Sequence, residues 1–206
     1  DSHFLNMNLD KDGLLWLTSA DNGIYRVSFT PNQFRVISLP DGDKSGVKAI
    51  CQLKNGDVLV GARSKNVYLL DMQGRVKQVF DYAHHQIGSI YHAMCDDRQN
   101  LWLSTKGDGL VKLTPDSSRP IGYRIAHYRH DARDPYSISG NNVYMTCQDS
   151  HHRIWVATLD GGLNLLQEQG GKVRFYNKYH GMKNYPGYGL YMDARNLVED
   201  SHQRMW

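Results

Sequence analysis

Three short runs hold residue types that could bind a metal ion: Asp10-Lys11-Asp12-Gly13, His84-His85 and His151-His152. The first opens like a calcium loop, but such a loop needs Asp or Asn at its fifth position and Gly at its sixth, where Leu14 and Leu15 stand. It reads as a hairpin turn. Adjacent histidines on a strand point to opposite faces, and no third ligand is spaced to join either pair, so both pairs read as solvated loop residues. Neither Gly-x-Ser-x-Gly nor a Gly-rich loop followed by Lys-Ser/Thr occurs, so the sequence signals no serine nucleophile and no phosphate cradle. A glycosidase pair of carboxylates is defined by separation in space, which sequence spacing does not give. What is left is binding chemistry, carried by cations, acids and tyrosines in segments that read as loops. These are Arg63, Ser64 and Lys65; Lys106, Gly107 and Asp108; Leu159 and Asp160; His84 and His85; Arg129, His130 and Arg133; and Tyr185, Tyr188 and Tyr191. Planar rings stack on the apolar face of a pyranose, while Arg, Lys and Asp bond hydroxyls or uronic carboxylates. The mix suits a sugar.

The elements that must position these loops are set by an internal repeat. Asp12–Thr18 leads to Asn22–Val27, Gln99–Thr105 leads to Asp108–Leu113, and His152–Thr158 leads to Asp160–Leu165. A degenerate copy, Asn55–Ala62 then Asn66–Leu70, has Leu59 where the others carry Trp, and a fifth begins at Asp200 and stops on Trp206. The markers Trp16, Leu59, Trp102, Trp155 and Trp206 are 43, 43, 53 and 51 residues apart. A four-stranded propeller blade takes ~40–50 residues, so the period predicts a β-propeller. Within the second period, alternation and turn residues predict strands over Val47–Leu53, Val58–Ala62, Val67–Asp71 and Val76–Tyr82. The Asn55-Gly56 pair predicts a primed hairpin turn with positive φ at both residues. No segment shows a helical period. In a propeller the loops joining the second to the third strand, and the outer strand to the next blade's inner strand, gather at one end of the channel. The residues singled out above fall in those loops. One Trp per blade at a fixed strand position is expected to fill the wedge between sheets, so Trp16, Trp102 and Trp155 are expected to be buried.

Composition agrees with a folded sheet protein. Hydrophobic residues make up 40% and charged residues 22%, which excludes general disorder. A net charge of +3 leaves no footprint for nucleic acid, and no apolar stretch approaches the ~18 residues of a membrane helix. Thirteen tyrosines against five phenylalanines suit half-wet sheets and polar loops. Cys51, Cys95 and Cys147 lie far apart with no CxxC, and read as free thiols in strands. The segment Asp1–Leu5 has neither a basic region nor an apolar core, so it is not read as a signal peptide.

An acidic turn, a Gly/Asn-aliphatic-Trp-aliphatic-Gly-Thr strand and then Gly-Gly-Leu is a pattern that resembles the two-component regulator propeller repeat. Gln99–Leu113 and Arg153–Leu165 carry it, and Asp134-Pro135-Tyr136-Ser137-Ile138-Ser139-Gly140-Asn141-Asn142-Val143 resembles the family's lead-in to the next blade. Leu59, Ala62 and Ser104 depart from the pattern, and Thr18–Asn22 is a longer loop. The tryptophan-aspartate, kelch and quinone-dehydrogenase propeller signatures are absent.

The resemblance implies an all-β chain of about four four-stranded antiparallel blades, a partial, open propeller drawn from a seven-bladed one. The expected blades are 1–44, 45–87, 88–139 and 140–192 of a single propeller fragment, with the start of a fifth at 193–206. It further implies a non-catalytic sensor piece of a hybrid two-component system, in the periplasmic part of an inner-membrane protein. That piece would recognise an oligosaccharide and relay a signal to a histidine kinase. A carbohydrate-active lyase and a protein-interaction scaffold are the alternatives. Candidate ligand residues are Arg63, Lys65, His84, His85, Lys106, Asp108, Arg129, His130, Asp160, Tyr185 and Tyr188. No catalytic residue, metal, cofactor or nucleic-acid partner is expected. The expected partners are the sugar, the remaining blades and kinase of the parent chain, and a second copy of the chain, because an open arc exposes apolar ends.

Overall fold

The computed structural model describes residues 3–21, 23–28, 36–40, 45–159, 161–182 and 193–206. Two compact units divide the chain, Asp1–Ser38 and Leu39–Trp206. In the first, β1 (Phe4–Leu9), β2 (Leu14–Ser19) and β3 (Gly23–Ser28) form an antiparallel sheet in that order. The second holds three four-stranded antiparallel sheets, each a meander. They are β4 (Val47–Gln52), β5 (Val58–Ala62), β6 (Val67–Leu70) and β7 (Val76–Phe80); β8 (Ile90–Cys95), β9 (Leu101–Thr105), β10 (Leu110–Pro115) and β11 (Tyr123–Tyr128); and β12 (Val143–Gln148), β13 (Ile154–Thr158), β14 (Gly162–Gln169) and β15 (Lys172–Tyr176). These are propeller blades. Strand β8 stands between β4 and β12, so the three blades of this unit follow one another as an arc. The four strands expected between Val47 and Tyr82 are all present.

Sheets covered on both faces explain why the middle strands read as continuous apolar runs. Every residue of β6 and β9 is buried. Leu59, Val67, Phe80, Ile87, Ile90, Leu103 and Leu113 fill the wedge between the first two blades of the arc, and Trp102, Leu110, Ile138, Val143, Val156 and Phe175 fill the next. Leu59 takes the marker position at zero exposure and works there as a smaller wedge. The tryptophans do not all behave alike. Trp102 is 2% exposed and Trp155 is part-buried, but Trp16 keeps 38% exposure and Trp206 67%, which corrects the expectation for Trp16. Trp102 is roofed by the β12–β15 sheet, whereas the first unit contains no buried hydrophobic residue among those described.

A single turn design recurs between first and second strands. Asp96 donates its N–H to the Asn100 carbonyl, Gln99 donates to Asp96, and the Asp96 carboxylate accepts from the Asn100 N–H and from Trp102 Nε1 at 2.8 Å. Asp10, Asp149 and Asp200 repeat this with Trp16, Trp155 and Trp206, at 2.8, 2.8 and 2.9 Å. Gln99, His152 and Gln203 all take positive φ at the fourth place of the turn, a cost that the capped carboxylate offsets. The Asp10 turn has Gly13 there. At Asn55-Gly56 only Gly56 has positive φ, and Gly56 donates to Leu53 while Leu53 donates to Asp57. The expected two-residue primed turn is therefore a longer turn closed by a left-handed glycine.

Between second and third strands, Thr105 and Thr158 donate their hydroxyls to the carbonyls of Gly109 and Gly162, at 2.7 and 2.9 Å. Gly109 has φ +80°, and a Cβ there would run into the Tyr128 carbonyl. Gly109→Ala should destabilise the fold by about 2 kcal/mol through strain in both respects. Urea unfolding measures it, and an unchanged midpoint would refute the close approach. The three cysteines are free and part-buried, and burial pushes each thiol up from its ordinary value.

Candidate functional site

The connector from β11 to β12, residues 129–142, is held by its own polar side chains. Asp131 N–H donates to Ser137 Oγ at 3.0 Å, Tyr136 N–H to Asp134 Oδ1 at 2.9 Å, and His130 N–H to Asn141 Oδ1 at 2.8 Å. The Ile138 carbonyl lies 2.8 Å from His130 Nδ1, and the Ile138 side chain is fully buried. Thus one buried aliphatic anchors the loop and the acids shape it. The connector also clasps the preceding blade: the Asn141 carbonyl accepts from Gly107 and Gly109, at 3.1 and 2.9 Å. The antiparallel meander brings second-to-third turns and blade connectors to one face, and this clasp ties them there.

Beside the clasp, Asp108 and Arg129 approach to 3.8 Å, and Lys106 bridges to Asn142. Behind them, burial pushes the His127 imidazole down, Arg129 adds to this, and the His85 backbone and Asp108 oppose it. Below the connector lies a hollow of about 400 Å³, lined by His130, Asp131, Asp134, Ser137, Asn177 and Tyr179 among others. Ser139 N–H donates to Asn164 Oδ1, and Asn177 Nδ2 donates to the same oxygen, so the hollow's floor is pinned to β14.

The other expected residues lie elsewhere. His84 and His85 belong to α1 (Tyr82–His85), a single helical turn capped by Asp81, whose carboxylate accepts from the His84 N–H at 2.7 Å. They are therefore neither strand nor open-loop residues. With Arg119, Ile121 and Tyr123 they border a second hollow of about 420 Å³ on the outer strand β11. Lys65 lies 4.2 Å over the Tyr82 ring, and Arg63 sits in the β5–β6 turn with its N–H on the Gly46 carbonyl. Asp160, Tyr185, Tyr188 and Tyr191 fall outside the described residues. The sequence reading missed Asp131, Asp134, Ser137, Asn177 and Tyr179 as hollow-lining groups, and for Asn177 and Tyr179 nothing in the spacing ties the end of β15 to the connector.

Residues 137–160 match the family model described as the two component regulator propeller. The chain carries this propeller repeat. No curated protein matches it. Among solved structures, the extracellular domain of the putative hybrid two component system BT3049 from B. thetaiotaomicron is similar over 99% of this chain and 26% of its own, at 15% identity and a TM-score of 0.55. The extracellular domain of the putative one component system BT4673 from the same organism matches over 98% and 32%, at 19% identity and 0.52. PorZ, a surface component of the type-IX secretion system of Porphyromonas gingivalis, matches over 99% and 30%, at 16% identity and 0.59. At such identities these likenesses establish the propeller fold. The chain spans between about a quarter and a third of each relative's length.

The regulator propeller repeat explains the departures seen in sequence. Where its pattern has Gly, Ser104 instead places Oγ 2.9 Å from Thr146 Oγ1 of the next blade, with both hydroxyls fully buried. Gly61 stands at the equivalent place, where an added Cβ would come within 3.1 Å of Ile90. Ala62, in place of Thr, lacks the hydroxyl that closes the turn in the two following blades.

Proposed function

We propose that the chain is part of an extracytoplasmic sensor of a hybrid two-component system, which recognises an oligosaccharide in the hollow under the β11–β12 connector and relays its occupancy to a kinase. The observation that carries this reading is the coincidence of the regulator propeller match, residues 137–160, with the side of a hollow that combines polar side chains with an exposed tyrosine ring. The fold alone hosts many functions, so the site must carry the argument. His130, Asp131, Ser137 and Asn177 offer donors and acceptors to hydroxyls, and Tyr179, 65% exposed, offers a ring to a pyranose face. A ligand there would tighten the connector against the Gly107–Gly109 turn of the preceding blade, which couples occupancy to blade packing. The remaining blades and the kinase belong to the parent protein in this reading. No helix among the described residues is long and apolar enough to cross a membrane.

Calorimetry with defined neutral and acidic oligosaccharides tests the proposal. Tyr179→Ala should weaken the best ligand about tenfold, the equivalent of one lost ring contact. Absence of heat with every sugar, or an unchanged affinity for the Tyr179 variant, would overturn it. Release of unsaturated sugar products would show a lyase instead.

A further inference from the structure

The first strand of each blade in the arc carries a bulge near its start, at Lys48, Tyr91 and Tyr144, where the pairing register slips by one residue. Arg195 occupies the same place relative to its tryptophan, since Lys48, Tyr91, Tyr144 and Arg195 each stand eleven residues before the blade marker. A bulge re-aims its side chain, and here it builds a row across three blades and the start of a fourth segment. Lys48 Nζ lies 4.6 Å from the Tyr91 ring centre, the Tyr91 and Tyr144 rings stack at 4.8 Å and 14°, and the Arg195 guanidinium lies 5.6 Å from the Tyr144 ring centre. Both faces of both rings are therefore occupied. What remains for a ligand is the edge: two phenol hydroxyls side by side, with an exposed cation at each end. Burial, followed by the neighbouring Tyr144 and the hydrogen bond the two phenols share, pushes the Tyr91 hydroxyl up, so the paired phenols keep one O–H and their lone pairs for a ligand.

More positive charge stands beside the row. Arg63 N–H donates to the Gly46 carbonyl at 3.0 Å and Lys106 N–H to the Ser89 carbonyl at 2.8 Å, which fixes the backbone of both exposed residues next to those that open β4 and β8. Lys48, Arg63 and Lys106 make no ion pair among the described residues, while Arg195 meets Asp193 only at 3.8 Å. First strands line the channel of a propeller, so the row forms a strip at the channel mouth.

We infer that this strip, Lys48-Tyr91-Tyr144-Arg195 with Arg63 and Lys106 above it, binds an acidic oligosaccharide whose carboxylates meet the cations and whose hydroxyls meet the two phenols. Neutral donors in the middle with cations at the ends match a sugar chain better than an acidic peptide, which brings charge without hydroxyls. Charge-assisted bonds are the stronger ones, and part of their strength is screened by salt. This inference rests on the oligosaccharide reading above, narrows its ligand class, and adds a second contact surface separate from the hollow.

The test is calorimetry of the full 206-residue chain with oligogalacturonate, with the same oligomers after reduction of their carboxyls to neutral galactose, with polyglutamate and with inorganic sulfate. Oligogalacturonate should bind about tenfold or more tightly than its reduced form, and less tightly at high salt. The double variant Lys48→Gln, Arg195→Gln should lose about tenfold, and Tyr91→Phe with Tyr144→Phe should lose a similar factor while keeping the stacked rings. Both pairs should melt as the parent does. If the reduced oligomer binds equally and only Tyr179→Ala weakens it, the strip is refuted and the hollow stands. Equal binding of polyglutamate, or of sulfate alone, refutes the sugar class, and no binding of any sugar refutes both readings.

Discussion

Replacing Trp102 by Ala is expected to lower the unfolding free energy by ~3–5 kcal/mol, the range for a large aromatic removed from a packed core. The indole is 2% exposed and sits between blades, against Ile138, Val143, Val156 and Phe175, with Lys112 Nζ 4.9 Å from its ring centre. Its removal opens a cavity that two sheets must share, and leaves the buried Asp96 carboxylate without the Nε1–H at 2.8 Å. Trp206 makes the same bond to Asp200 at 2.9 Å but is 67% exposed, so Trp206→Ala should stay within about 1 kcal/mol. Urea unfolding of the two variants separates packing from the hydrogen bond. Equal losses would show that the indole–carboxylate bond, and not the wedge, carries the marker position.

That contrast shows why the repeat was legible and the burial of its tryptophans was not. A marker recurring every 43 to 53 residues, with alternating strands between, reports the blade, because each strand's pattern answers to its own sheet. Exposure answers to the neighbouring sheet. Trp102 and Trp155 occupy equivalent places and differ in burial, which no local pattern encodes. The turns show the same division. Gly13 and Gly56 announce a left-handed residue, whereas Gln99, His152 and Gln203 take that conformation because an aspartate three residues earlier holds the turn. The six-residue step from Asp to Trp was present in the sequence and could have revealed it. Helix α1 escaped because four residues cannot display a helical period.

The cluster of loops was legible as a face and not as a set of partners. Meanders force second-to-third turns and connectors to the same end, so Lys106, Asp108 and Arg129 converge as the loop assignment requires. His84 and His85 do not join them, because the one-turn helix places them at a hollow on β11. Tyr91 and Tyr144 escaped for a geometric reason. Strict alternation assigns each strand residue to one of two faces, and a bulge takes its residue out of that count. Only the distance of each to its tryptophan preserves the equivalence.

The aspartate turn also governs the response to acid. Asp149 has no side-chain exposure, and its carboxylate accepts from the N–H groups of His151 and Arg153, from Arg153 Nε and from Trp155 Nε1, at 3.0, 2.8, 2.6 and 2.8 Å. Burial works to raise its pKa, but the Trp155 and Arg153 bonds outweigh burial and hold the carboxyl below its usual range. The Asp200 carboxyl, bonded first by Trp206 and then by Arg204, is held down to about 2. A depressed folded value means that the unfolded chain takes up protons first as pH falls. Stability from these groups is therefore whole above the unfolded carboxylate value of ~3.9 and drains away as pH falls through the folded value. Asp149→Ala strands a tryptophan N–H and two turn N–H groups, while the half-exposed Arg153 adds little, so a loss of about 2–3 kcal/mol is expected at neutral pH. Asp149→Asn keeps the acceptor and should lose less. Urea unfolding from pH 7 down to pH 2 should show the parent falling steeply below pH ~4 and the Ala variant falling less, so that the two curves converge in acid. Parallel curves would show that Asp149 holds the turn without its charge.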